Sequence, residues 1–156
     1  MNRKLLFTLA IILLAVLSMS SVSAFWPFDS GNDVTVNGVS FHLPDGFDAD
    51  NPVKSESDTT YENTVYKDIE TGETVDIAVD DQSVDDSVIG NSLIKKGFEP
   101  KNIDGKDGFY KFYLNTKIEF VYIDNNKVIS IIVPFVHDKY GDNFKKYDEF
   151  IAEIIK

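Results

Sequence analysis

The stretch GFYKFYLNTKIEFVYIDNNKVISIIV, residues 108–133, decides the fold. It divides into three runs rich in β-branched and aromatic residues: Gly108 to Leu114, Lys117 to Ile123 and Lys127 to Val133. Asn115-Thr116 separates the first two and Asp124-Asn125-Asn126 the last two. Breaks this short between such runs predict an antiparallel meander. In the third run Ile129, Ile131 and Val133 would share one face, while Val128 and Ile132 take the other. A strand apolar on both faces belongs inside a sheet, with cover on both sides. Asn143 to Ile155 can supply one cover, because Phe144, Tyr147, Ile151, Ile154 and Ile155 recur at helical spacing.

Upstream of the meander, a second helix is predicted over Val84 to Lys96. Ser83 would cap it, Asp85 and Asp86 suit its positive N-terminal end, and Lys95 and Lys96 suit the other. Val88, Ile89, Leu93 and Ile94 would form its buried stripe, and Gly97 would stop it. Thr59 to Lys67 and Glu73 to Val79 read as strands joined through Glu70-Thr71-Gly72. In the second of these Val75, Ile77 and Val79 alternate with Asp76, Ala78 and Asp80, so one face is wet. Asp48 to Asp58 is polar, contains Pro52 and reads as a surface loop. Val34 to Val36 and Val39 to Leu43 flank Asn37-Gly38, a strong hairpin signal, and the second run ends in a turn at Pro44 to Phe47. The expected fold is therefore α+β, an antiparallel sheet flanked by helices in an αβα-type sandwich, occupying residues 34–156.

Residues 1–24 read as a signal peptide. Arg3 and Lys4 precede an apolar run from Leu5 to Leu17, and Val22-Ser23-Ala24 offers a peptidase site before Phe25. The other reading is a retained anchor, since Leu5 to Phe25 has about the 20 residues needed to span a bilayer. The serines at 18, 20, 21 and 23 count against it. Either way the domain is translocated, so the expected location is secreted or extracytoplasmic, at the cell envelope. Residues 25–33 would then be a mature N-terminal linker. The absence of cysteine excludes disulfides, thiolate metal sites and cysteine nucleophiles.

The chain carries a net charge of −11; without Arg3 and Lys4, 13 basic residues face 26 acidic ones, a net −13. Such a balance repels phosphate backbones and anionic head groups and argues against nucleic acid as a partner. A membrane enters the expected partners only through a retained anchor. Otherwise the partner would be a protein or small ligand outside the cytoplasm.

The residues that could carry chemistry are few. His42 and His137 are the only histidines, 95 positions apart, and each has a structural explanation in a strand or at a strand exit. Without thiolates they make at most half a zinc site. Asp80-Asp81, Asp85-Asp86, Asp104-Gly105-Lys106-Asp107-Gly108 and Asp48-Ala49-Asp50-Asn51 all miss the spacing of a calcium loop, and capping or turn formation explains them. Neither a nucleophile elbow nor a phosphate loop is present. The aromatics Tyr110, Phe112, Tyr113, Phe120 and Tyr122 could line an apolar pocket, though strand aromatics usually pack in a core. The sequence thus points to no catalytic residue, no metal ligand and no cofactor. A hydrolase using His42 or His137 with nearby acids is the rival reading.

Gly38-Val39-Ser40-Phe41-His42-Leu43-Pro44-Asp45-Gly46-Phe47 resembles the opening of PsbP/Mog1-like domains, and the order of the later elements is also similar. The resemblance implies an antiparallel sheet between helices and a binding or accessory role, with no transferable active site.

Overall fold

A computed structural model describes residues 32–81, 85–114, 116–135 and 143–155. Asn37 and Gly38 both adopt positive φ, 43° and 75°, as the tight turn between β1 (Asp33–Val36) and β2 (Val39–His42) requires. This hairpin forms a sheet of its own. Next come β3 (Lys54–Ser57), β4 (Tyr61–Lys67), β5 (Thr74–Asp81) and the helix α1 (Asp86–Lys95). Then follow β6 (Glu99–Ile103), β7 (Lys106–Tyr113), β8 (Lys117–Asp124), β9 (Lys127–Pro134) and the helix α2 (Phe144–Ile154).

Seven strands make one antiparallel sheet in the order β3-β4-β5-β9-β8-β7-β6. After β5 the chain crosses through α1 to the far edge and returns by the meander, so β9 closes against β5 at the centre. The central place expected for the doubly apolar strand is therefore the one observed.

One face of this sheet is the core. Val75, Ile77, Ile129, Ile131, Ile118 and Phe120 point to it and are fully buried. Tyr147, Ile151 and Ile154 of α2 cover them together with Val36, Phe41 and Leu43 of the hairpin region. The whole cluster lies between Asn32 and the C-terminus, which form one compact unit, so this stretch holds its fold through its own contacts. The meander aromatics divide by parity. Phe120 and Tyr122 are core, Tyr110 and Phe112 pack against it, and Tyr113 faces the other way.

The opposite face carries α1. The helix passes so close to β7 that a Cβ on Gly90 would lie 2.9 Å from the Phe109 ring. One helix thus sits on each face, but their cover is unequal, because α1 lies over β6 and β7 and packs on no more central strand to a comparable extent.

Several expectations need correction. Part of the expected 48–58 loop is the edge strand β3, and a further edge strand, β6, precedes the meander. Both sequences hide their strands. Lys54, Glu56, Glu99 and Lys101 place charges at the two edges, and Pro100 is tolerated because an edge strand has one unpaired side. Asp104-Gly105, read as a turn, closes the β6–β7 hairpin with φ values of 49° and 80°. The buried stripe of α1 also differs. Val88 is 55% exposed and Ile94 51%, while Gly90 is the buried residue of the helix. The N-cap is Asp85, which accepts from the Ser87 N–H at 2.8 Å. Hydrogen bonds from the Ser87 hydroxyl and from this N–H hold the Asp85 carboxyl below the ordinary value. Ser83 and Val84, like residues 1–24 with their expected signal peptide, lie outside the described residues.

Candidate functional site

The outer face of the sheet, beyond the reach of α1, is where polar groups gather on a surface that no described element covers. Its rows follow from the strand registers. Asp76 of β5 lies opposite Ile132 of β9, which lies opposite Glu119 of β8. Val65 of β4 flanks Asp76 on the other side. Two residues along the strands come Asn63, Ala78, Ser130 and Val121. All of these alternate with core residues, which is why they share the outer face.

The two carboxylates are anchored differently. Asn63 donates from Nδ2 to Asp76 Oδ1 at 2.7 Å. Glu119 accepts from the Ser130 hydroxyl at 2.9 Å and from the Tyr113 hydroxyl at 2.6 Å. Burial and the Glu119 contact push the Tyr113 phenol up to about 12. Burial also raises the Asp76 carboxyl above the usual carboxylate value; the Asn63 hydrogen bond and the charges of Lys117 and Lys54 oppose this, and Glu119 adds to it. The Oδ1 of Asn63 is buried without a hydrogen-bond partner. Beside Asp76 the face dips into a groove of about 310 Å³ lined by Val65, Thr74, Thr116, Lys117, Ile132 and Pro134. Chemically, the arrangement presents one costly carboxylate and an apolar floor, with an unused acceptor buried behind them. It suits a hydrogen-bond donor or cation carried on an apolar stem.

The Asp76 shift has a consequence for stability. A carboxyl whose folded-state pKa is raised binds protons more tightly in the folded state, so stability falls as pH climbs from the unfolded value through the folded one. Asp76→Asn keeps the shape and removes the charge. It should therefore raise the denaturation midpoint at neutral pH, and the gain should vanish in acid, where Asp76 is protonated anyway. Urea titrations of both proteins at pH 7 and pH 3 check this; a gain that persists at pH 3 contradicts the assignment.

The residues singled out in the sequence fall elsewhere. His42 Nδ1 lies 2.7 Å from Asp33 Oδ1, a cross-strand pair at the open end of the hairpin, with Asp33 70% exposed. His137 and Asp138 lie outside the described residues. Among the described residues no three metal-ligating side chains come together. The Asp48 carboxylate is occupied by the N–H groups of Asp50 and Asn51 at 3.1 and 3.0 Å, closing a turn. Asp81 pairs with Lys127, and Asp107 accepts from Asn102 at 2.8 Å. Asp86 and Asp107 share a second groove, of about 530 Å³, beneath α1 with Phe109, Ile123 and Ile94. Asp76 and Glu119 escaped notice in the sequence because each reads as the polar half of an alternating strand. Only the register, which brings both to Ile132, marks them.

Comparison with known proteins finds no matching family model, no similar curated protein and no similar solved structure.

Proposed function

We propose that the protein is an exported, non-catalytic binding or accessory module of the cell envelope, and that it binds through the outer sheet face around Asp76, Ile132 and Glu119. One observation carries the reading: Asp76 is kept half-buried on a sheet face that no described element covers, at a cost to its ionised form, beside the unpartnered Asn63 acceptor. Carboxylates held at a cost on a surface are a mark of function. The ligand chemistry that relieves the cost is a lysine or arginine side chain, or another amine, flanked by apolar groups. Export rests on Met1 to Ala24 as a signal segment. Kinship with PsbP/Mog1-like domains belongs to the same proposal, resting on Gly38 to Phe47 and on the order of elements.

The His42–Asp33 pair is the observation that favours a hydrolase, since a carboxylate orienting a histidine is one half of a general-base arrangement. No serine or threonine hydroxyl among the described hydrogen bonds reaches that histidine. The binding reading is tested by affinity capture from the native envelope with the native protein and with an Ile132→Lys variant. Ile132 has Asp76 and Glu119 as its cross-strand neighbours, so the new ammonium satisfies both carboxylates and occupies the site while the sheet stays intact. A partner carried by the native protein should be missing from the variant.

A further inference from the structure

The net charge conceals a division along the strands. The registers place the turns after β3, β6 and β8, together with the end of β5 and the start of α1, at one end of the sheet. That end carries Asp58, Asp81, Asp85, Asp86, Asp104 and Asp124, and its lysines Lys106 and Lys127 are committed to Asp124 and Asp81. At the other end the β7–β8 turn meets the exit of β9, through the Phe135 N–H donating to the Thr116 carbonyl at 3.0 Å. The close of α1 comes to the same place, where the Lys111 ammonium donates to the Lys96 carbonyl. The start of α2 reaches this end on the core face, where the Phe144 ring lies 5.7 Å from that of Phe112. Lys95, Lys96, Lys111 and Lys117 therefore meet this corner from the outer face, and Lys145 and Lys146 from the core face. Lys111 and Lys117 stand over the Tyr113 ring at 4.9 and 4.8 Å.

The same corner exposes apolar side chains. Leu114, at the tip of the β7–β8 turn, is 91% exposed, and Phe144 is 41% exposed. Leu114 also holds φ at +33°, a conformation that asparagine or glycine adopts far more easily. A bulky apolar side chain thus projects into solvent from a backbone position that disfavours it, beside a group of lysines, in an acidic protein.

We propose that this corner docks on an anionic lipid surface, with Leu114 and Phe144 entering the headgroup boundary and the lysines meeting lipid phosphates. The inference does not need the outer-face reading, although Lys117 also lines the groove there. Separate side chains projecting from turn and helix ends suit a fluid surface that admits each of them, whereas a folded partner would need a matching hollow for each. The acidic end does not prevent approach. Strands β7 and β8 have eight residues each, about 26 Å of length, which is about three screening lengths at physiological salt. Glu70 and Glu73 do lie at the basic end, but on the β4–β5 turn, across β9 from the lysine corner, whereas Glu99 is an acid within the corner, in the groove beside Phe144. Glu149 pairs with Lys145 at 3.6 Å on the solvent side of α2.

The test is co-sedimentation of the Asn32–Lys156 domain, free of the apolar N-terminal run, with phosphatidylcholine vesicles and with mixed phosphatidylcholine–phosphatidylglycerol vesicles. Binding is expected to the mixed vesicles alone and to weaken as salt rises. Removing Lys117, Lys145 and Lys146 as glutamines should weaken it by about fivefold per lysine. Leu114→Asn should weaken it by about tenfold while keeping or raising the melting temperature, because asparagine relieves the backbone. Failure to bind the mixed vesicles, equal binding to neutral ones, or binding indifferent to these substitutions in a folded protein would overturn the proposal.

Discussion

Ile151→Ala should lower the stability of the domain by about 2–5 kcal/mol, the usual cost of a large-to-small change in a closed core. Ile151 is fully buried on α2, between Tyr147 and Ile154 on the same face and the core side of the sheet. The three positions fall four and three residues apart, so one helical stripe faces the strands and no neighbour is free to fill the space left. The denaturant midpoint measured on purified protein reads the effect directly. A midpoint unchanged by the substitution would mean that α2 does not seat this face on the sheet.

Gly108→Ala should be about as damaging for the opposite reason. A Cβ at Gly108 would sit 2.5 Å from the Val121 carbonyl oxygen and 2.8 Å from two carbons of the Phe120 ring. The oxygen belongs to β8 in the ladder with β7, so relief requires moving backbone. The expected loss is about 3 kcal/mol, at the upper end of the overpacking range. Gly90→Ala is the contrasting case. There the added carbon meets only the far edge of the Phe109 ring, which can swing aside, and alanine favours the helix by up to about 1 kcal/mol. The two substitutions should therefore differ sharply in melting temperature, and equal effects would contradict the close approach of β8 at Gly108.

Strong local signals carried much of this fold. Asn37-Gly38 needs its two positive φ values, the meander has turn residues at both breaks, and α2 has a full stripe; each is observed close to where the sequence puts it. The edge strands were illegible because protection of an edge consists of removing the strand signal. Lys-Ser-Glu-Ser at 54–57 and the proline at 100 make β3 and β6 look like loops. The stripe of α1 was misread because its contact with the sheet is made through Gly90, a residue that periodicity ignores, while Val88 is left in solvent.

The candidate sites depend on register, which composition does not encode. Asp76 and Glu119 are separated by 43 positions and meet only through Ile132. The lysines of the corner come from two helix ends and two strands, and a net charge summed over the chain cancels them against acids at the far end of the sheet.

The measurement closest to the central claim is capture from the native envelope with three proteins side by side: native, Ile132→Lys and Val88→Lys. Position 88 is an exposed site on α1, away from the Asp76 row, so its lysine controls for added charge. A partner retained by the native and Val88→Lys proteins and absent from a folded Ile132→Lys protein is the predicted result. Retention of the same partner by all three would contradict binding through the outer face.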